Sequence, residues 1–357
     1  MLPVENSIYK QYITNEIGRD ILSYMNTQPT IMAVGDILID AFITLQDARV
    51  SCDINDANCS ISMRWGDKIP YEALTVIPAV GNGPNASVSF SRLGAKAYAL
   101  THIGNDAHGQ ECLDALKANN VATDYVITQD GKKTNYHFVL SYEAERTILI
   151  NHEAYNYNLA EHVGDFTPDW IYFTSVAEDS MQYHADIAKW VKEKGIKMSF
   201  QPGTFQIKLG AETLKDIYEA TEIFFCNVEE AQRILKTESR DLPELLKAMR
   251  ELGPNIVCIT DGPKGASVYD GEKMLMVPMY PDPAPPVERT GAGDSFSSAF
   301  TSYMALGYSL EDSLLRAPIN SMNVVQHIGA QEGLMTNEQI EEWLGKAPDD
   351  YKVISLQ

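Results

Sequence analysis

The sequence predicts an α/β fold: a mostly parallel sheet with helices on both faces and a small β excursion to one side. Three observations predict it. From residue 169 onward, short apolar runs (Trp170–Phe173, Lys197–Phe200, 223–226 and Ile256–Thr260) alternate with helical periodicity at 180–194, 211–220, 228–236 and 242–252. Strands joined through helices run parallel, and a strand covered on both faces reads as a continuous apolar run. Earlier, the buried run 31–34 leads into Gly35-Asp36-Ile37-Leu38-Ile39-Asp40. That places carboxylates at a strand's carboxyl end, where open α/β sheets bind ligands. Late in the chain, Thr290-Gly291-Ala292-Gly293-Asp294-Ser295-Phe296 follows the proline-rich run 281–286 and opens a helix of small and apolar residues. The unpaired amides of such a helix start hold anions. Asp294 then either complements the helix dipole or takes a proton from a hydroxyl while the amides hold a transferring phosphoryl.

The chain has 357 residues, enough for one large α/β domain or two small ones. Lys+Arg number 28 and Asp+Glu 49, a net charge of −21. That balance disfavours nucleic acid and anionic membrane as partners, since both need a basic face. No apolar run is long enough to span a bilayer, and no basic-then-apolar leader stands at the start, so the expected location is the cytoplasm. Of the five cysteines, Cys112, Cys226 and Cys258 lie far apart, whereas Cys52 and Cys59 are close but lack a zinc-like partner set. Reduced thiols are expected throughout.

Residues 1–30 form an extension whose apolar side chains, among them Ile8, Tyr12, Ile13, Ile17 and Ile21, recur at helical spacing. The main domain runs 31–357. Asp40 follows three apolar residues, so if buried it needs hydrogen bonds. Sugar hydroxyls would supply them; a turn aspartate is the alternative. Short strands at 41–45 and 74–77 surround a polar loop, and 135–140 with 146–150 form a hairpin. Together they predict a lid in two segments, about 41–80 and 134–151. Gly81-Asn82-Gly83-Pro84-Asn85-Ala86 opens a helix that Gly94 stops. Read literally it is a G-x-G-x-x-A dinucleotide fingerprint, but it stands far beyond the first βα turn where that fingerprint belongs. On the other reading, Gly81 and Gly83 let backbone approach a small ligand beside Asn85.

A strand at 97–103 and a turn lead into a helix at 110–119; His102 and His108 have no metal-like partner set. Asn227-Val228-Glu229-Glu230 is a capping-box pattern, yet Glu230 also falls at the sheet's carboxyl edge, where it would orient hydrated Mg²⁺. Thr260-Asp261-Gly262-Pro263-Lys264-Gly265 is either a tight turn or a phosphate loop, and it lacks P-loop spacing. A helix at 310–327 follows the central motif, and 329–333 turns the chain back.

Taken in order, these pieces resemble the ribokinase-like, or pfkB-type, carbohydrate kinase superfamily over about residues 31–335. Gly35 to Asp40 resembles the first-strand sugar contact. Gly81 to Asn85 with Arg92-Leu93-Gly94-Ala95 resembles the first signature, and Gly104-Asn105-Asp106-Ala107-His108-Gly109 the G-x-D-x-x-G turn. Asn227 to Glu230 matches N-x-x-E, Thr260 to Gly262 the nucleotide-phosphate loop, and Thr290 to Asp294 the G-A-G-D signature. The resemblance implies a three-layer α/β/α sandwich with a small β-sheet lid, transferring the γ-phosphoryl of ATP to a sugar hydroxyl. Asp294 would be the base, Gly291, Ala292 and Gly293 the anion hole, and Glu230 the Mg²⁺ residue. Asn227, Thr260, Gly262, Gly265 and Asn320 would serve the nucleotide; Asp40, Gly81, Gly83, Asn85 and Arg146 the sugar. Exposed lid strands add the expectation of a homodimer.

Three features depart from the family pattern. Glu288-Arg289 stands where Asp-Thr is usual, a position linked to a monovalent cation, so K⁺ dependence is open. Asn82 replaces a glycine or lysine, and the 47–70 segment is longer than usual. A nucleoside kinase is the nearest alternative; an NAD-dependent dehydrogenase and a non-catalytic sensor are the others.

Overall fold

The structure, a computed structural model, describes residues 28–52, 59–142, 145–178 and 180–356. The helix expected at 5–27 lies outside the described residues. The strands are β1 (Thr30–Val34), β2 (Leu38–Leu45), β3 (Arg49–Cys52), β4 (Cys59–Ser62), β5 (Tyr71–Val80), β6 (Lys96–Gly104), β7 (Val126–Gln129) and β8 (Asn135–Tyr142), then β9 (Glu145–Leu149), β10 (Trp170–Phe173), β11 (Lys197–Phe200), β12 (Ile223–Asn227), β13 (Ile256–Thr260), β14 (Ala266–Tyr269), β15 (Met274–Val277) and β16 (Ile354–Ser355).

The main sheet has the order β16-β15-β14-β13-β12-β11-β10-β1-β6-β7. From β7 to β13 every pair is parallel. Strand side chains alternate between faces. Ile31, Ala33, Trp170 and Tyr172 therefore enter one core with Phe90, Leu116, Phe300 and Leu314, from the helices Asn82–Arg92, Ala107–Ala118, Ala292–Ala305 and Leu310–Val324. Met32, Val34, Ile171 and Phe173 enter the other core, with Tyr183, Ile217, Ile234 and Leu246 from Met181–Lys194, Lys215–Ala220, Val228–Leu235 and Leu242–Glu251. The result is three layers. Connections leave β1 toward β6 on one side and toward β10 on the other, which opens a crevice at the strands' carboxyl ends.

A second, four-stranded sheet has the order β5-β2-β8-β9. Its centre is the parallel pair β2–β8, with Asp40 opposite His137, so the two expected lid segments do pair with each other. Its outer face leaves Leu74, Val76, Phe138 and Leu149 exposed.

Several expectations need correction. Cys52 and Cys59 are not reduced but form a disulfide, because the antiparallel ribbon β3–β4 sets them directly opposite each other. Reading 47–70 as a polar loop hid that ribbon. Cys112, Cys226 and Cys258 are free and buried, as expected. The helix expected over 211–220 begins only at Lys215, and the one expected at 110–119 begins at Ala107, where Asp106 Oδ1 accepts from the Gly109 amide at 2.8 Å. The antiparallel edge β14–β16 was not expected, although Asp270-Gly271 between two β-rich runs is a hairpin signal.

Candidate active site

The site is built outward from the first turn of the helix Ala292–Ala305. Gly291 caps it with φ 78°. A side chain there would be strained and would collide with Ala330, so only glycine fits. The helix's first amides lack intrahelical carbonyls to bond, apart from a long 3.4 Å contact from the Ala292 N–H to the Arg289 carbonyl.

Asp294 sits in that turn, partly buried, and both its oxygens are held. Asn85 Nδ2 donates to Oδ2 at 2.9 Å, and Gln201 Nε2 donates to Oδ1 at 3.1 Å. Burial pushes the carboxyl above its ordinary range, and the two amides pull it back. An amide N–H can only donate, so both partners favour the ionised form that accepts a proton. The partners are themselves fixed. Asn85 Oδ1 accepts from Gln331 Nε2 at 3.0 Å, and Gln331 also donates to the Ala79 carbonyl. Gln201 Oε1 accepts from Ser297 Oγ at 2.8 Å and from the Tyr172 hydroxyl. Asn85, expected to contact sugar, is buried, with one amide hydrogen on Asp294 and its oxygen accepting from Gln331. Gln201 and Gln331 were missed. Gln201 had a signal, a polar residue directly after a buried strand, but Gln331 becomes adjacent only through the tertiary turn after residue 329.

The glycines at 81 and 83 have a packing reason. A Cβ on Gly81, which has φ 117°, would stand 2.6 Å from the Asp36 carbonyl, and one on Gly83 3.2 Å from Gly35 Cα. They let the helix that carries Asn85 press against the end of β1. Asp40 faces His137, with Oδ1 3.8 Å from Nδ1. Burial, helped by Glu288 and opposed by Arg146, pushes its carboxyl up to about 6. Arg146 on β9 is exposed and acts on Asp40 electrostatically. Burial pushes the His137 imidazole down to about 4, so it is neutral at pH 7. Beside this pair is a group the sequence reading passed over. Asp36 is buried, accepts from the Tyr157 hydroxyl at 2.7 Å, and lies 3.8 Å from His152 Nδ1. Burial pushes it up to about 7.

On the far side of Gly291–Asp294 lies a cavity of about 250 Å³. Thr260, Gly262 and Gly265 line it together with Ala292 and Gly293, so two sequence-distant loops meet as expected. Its apolar wall comes from Met279, Phe296, Pro318, Met322 and Val325. Asn320 is not in that wall. It is fully buried behind it, donating to the Ser295 carbonyl at 3.0 Å and accepting from the Met335 amide at 2.9 Å. One helical turn carries only part of its face to a cavity, and here Pro318, Ser321 and Met322 hold that face.

Asn227 and Glu230 form the capping box reciprocally, each bond 2.8 Å long. Burial raises the Glu230 carboxyl, and Asp294 is close enough to add to the rise. Among the described residues no group of three or more His, Cys, Asp or Glu side chains could hold a metal. An acidic edge with one carboxylate occupied by its cap fits a hydrated Mg²⁺, which takes most ligands from phosphate and water.

Among the described residues no helix is long and apolar enough to cross a membrane. Comparison with known proteins agrees with the geometry. Residues 73–337 match the model of the pfkB family carbohydrate kinases. The chain is 29% identical to the ribokinase of Bacillus subtilis over 289 residues, covering 78% of this chain and 92% of that one. It is 25% identical to a probable chloroplastic fructokinase of Arabidopsis thaliana, covering 94% and 88%. The Arabidopsis thaliana ribokinase solved with ribose and ATP superposes with a TM-score of 0.76 at 21% identity, covering 89% of this chain and 99% of that one. A nucleoside kinase of Methanocaldococcus jannaschii superposes at 0.72 and 20% identity, covering 89% and 98%. The chain thus belongs to the pfkB family of carbohydrate kinases, ATP-dependent phosphotransferases with an alcohol group as acceptor.

Proposed function

We propose that this kinase transfers the γ-phosphoryl of ATP to a hydroxyl of a small carbohydrate, with Asp294 as general base. One observation supports the reading above others: Asp294 is held by two side-chain amides at the helix start that borders the cavity. The nucleotide occupies that cavity, with its phosphates toward Thr260, Gly262 and Gly265 and the terminal phosphoryl against the amides at Gly291 to Gly293. The acceptor sits across Asp294, under the second sheet, where Asp40 takes hydroxyl hydrogen bonds and Arg146 closes the rim. Asp294 removes the hydroxyl proton as that oxygen bonds to the γ-phosphorus and the bond from phosphorus to the β,γ-bridging oxygen breaks, leaving ADP, while the helix amides hold the charge on the phosphoryl oxygens. Glu230 and the nucleotide itself would hold Mg²⁺, which when bound would supply charge neutralisation there. Asn85 and Gln201 keep the base ionised and aimed.

The second sheet acts as a lid excluding water from the phosphoryl. Its exposed Leu74, Val76, Phe138 and Leu149 support a homodimer through this face. A cytoplasmic location belongs to the same reading; the three free buried thiols fit it and the Cys52–Cys59 disulfide runs against it.

Nucleotide choice tests the reading at the level of binding. Mg-ATP at about a hundred times its Kd should add roughly 2.7 kcal/mol of apparent stability, and NAD or NADP none. A melting shift with NAD(H) and none with adenine nucleotides would remove the kinase assignment.

A further inference from the structure

Arg289 stands immediately before the Gly-Ala-Gly turn and lines the nucleotide cavity with Gly293, Thr260 and Gly262. Its backbone is pinned on both sides. The Val287 N–H donates to the Val325 carbonyl at 2.8 Å, and the Arg289 carbonyl accepts from Ala292. The position of this cation is therefore set by the same turn that sets the helix amides. Several described arginines are engaged: Arg240 bonds Glu229 and Asp261, Arg316 bonds Glu341, and Arg92 bonds backbone carbonyls, whereas Arg49 on the β3–β4 ribbon and Arg146 on the second sheet are exposed and, like Arg289, outside the ion pairs. Arg289 forms no ion pair among the described residues, although the chain carries a net charge of −21. Nor is it paired with its neighbour, since Glu288 is engaged by Gly329. The acid it does act upon is Asp282, another cavity-lining residue, whose carboxyl burial raises and Arg289 draws back down.

An unpaired guanidinium beside bare helix amides makes a site for a polyanion. Its planar fork matches two phosphoryl oxygens, which a lone ammonium cannot do. We propose that Arg289 grips the phosphate chain of the bound nucleoside triphosphate beside the Gly293 amide, a contact made by this chain's own Glu-Arg departure. The proposal rests on the kinase reading and adds to it a residue that holds the donor. As the bond from the γ-phosphorus to the β,γ-bridging oxygen lengthens, negative charge moves onto that oxygen and the β-phosphate, so a guanidinium on the phosphate chain is gripped more strongly during transfer than in binding.

The test compares wild type with Arg289→Gln and Arg289→Lys in the full chain, by titration with ATP and with AMP and by steady-state turnover. AMP has no β- and γ-phosphoryl groups. Arg289→Gln should weaken ATP binding about tenfold, the effect of one charge-assisted contact, and leave AMP binding within twofold. KM for the acceptor should hold within about twofold, since its pocket lies across Asp294. Arg289→Lys keeps the charge without the fork and should fall between. A misfolding role would instead weaken both nucleotides and the acceptor together. If the wild type phosphorylates an acceptor and Arg289→Gln keeps its ATP-over-AMP preference, the Arg289 contact is wrong and the kinase reading stands. If the wild type binds ATP no better than AMP and phosphorylates nothing, both fall.

Discussion

Asp294→Asn should lower turnover by roughly 10²–10⁴ while the protein stays folded. Asparagine has nearly the shape of aspartate and is held by the same pocket, but its amide accepts no proton from the acceptor hydroxyl. One bond is remade in the substitution, since Asn85 and Gln201 both present N–H groups and only the new carbonyl can accept. A flip of the Gln201 amide relieves this, because the Ser297 and Tyr172 hydroxyls beside it can accept as well as donate, so the melting temperature should move little. ATP affinity should hold or rise, because a negative charge beside the γ-phosphoryl has gone. A carboxylate that only complements a helix start contributes about 0.3–1 kcal/mol to stability. In that case Asp294→Asn would leave the rate nearly intact. A folded variant turning over within about threefold of wild type, far inside the range for losing a general base, removes Asp294 from the mechanism.

Asp36→Asn should stabilise the protein relative to wild type by an amount that grows with pH. The Asp36 carboxyl is raised from 3.8 to about 7 by burial. At pH values below 3.8 both folded and unfolded chains hold the proton. Between about 4 and 7 the unfolded chain releases it and the folded chain keeps it, so wild-type stability falls as pH rises. Above 7 both states are ionised and the loss is complete. A gap of about three units corresponds to a loss on the order of 4 kcal/mol. Asparagine does not titrate, still accepts from Tyr157, and can donate to the nearby His152 ring. The stability difference between variant and wild type, measured by denaturant unfolding from pH 4 to pH 8, should widen across pH 4–7 and level beyond. A difference that stays flat over this range means that Asp36 is not the buried, raised acid described.

The sequence made most of the parallel sheet legible because strands such as β1, β10, β12 and β13 are apolar runs, whereas the edge strand β7, Val126-Ile127-Thr128-Gln129, is only partly buried and went unread. The same rule hid the β3–β4 ribbon, which is almost wholly exposed, with Val50, Ile61 and the cysteine pair on one face and Arg49 and three serines on the other. No core pattern marks such a ribbon, and its disulfide went with it. Within the site, residues whose role is fixed by local backbone were readable: Gly291 from its helix start, Gly262 and Gly265 from their turn, Glu230 from its cap. Residues whose role depends on what packs against them were not. Asn85 and Asn320 looked like ligand contacts because polar side chains at helix starts or in pockets usually face solvent or substrate. Here each is buried and satisfied by the protein, one by Asp294 and Gln331, the other by Ser295 and Met335. Asp36 precedes Asp40 by four residues in a run read as leading to one sugar contact, and only the tertiary placement of Tyr157 and His152 separates their environments.

The most direct measurement is phosphorus NMR of the full chain with Mg-ATP and one acceptor at a time, drawn from pentoses, hexoses and nucleosides. With the right acceptor, ATP should disappear while ADP and a new phosphomonoester appear in equal amounts, and Asp294→Asn under the same conditions should show neither on that timescale. Slow conversion of ATP to ADP and inorganic phosphate alone, unchanged by every acceptor, would contradict transfer to a hydroxyl poised against Asp294.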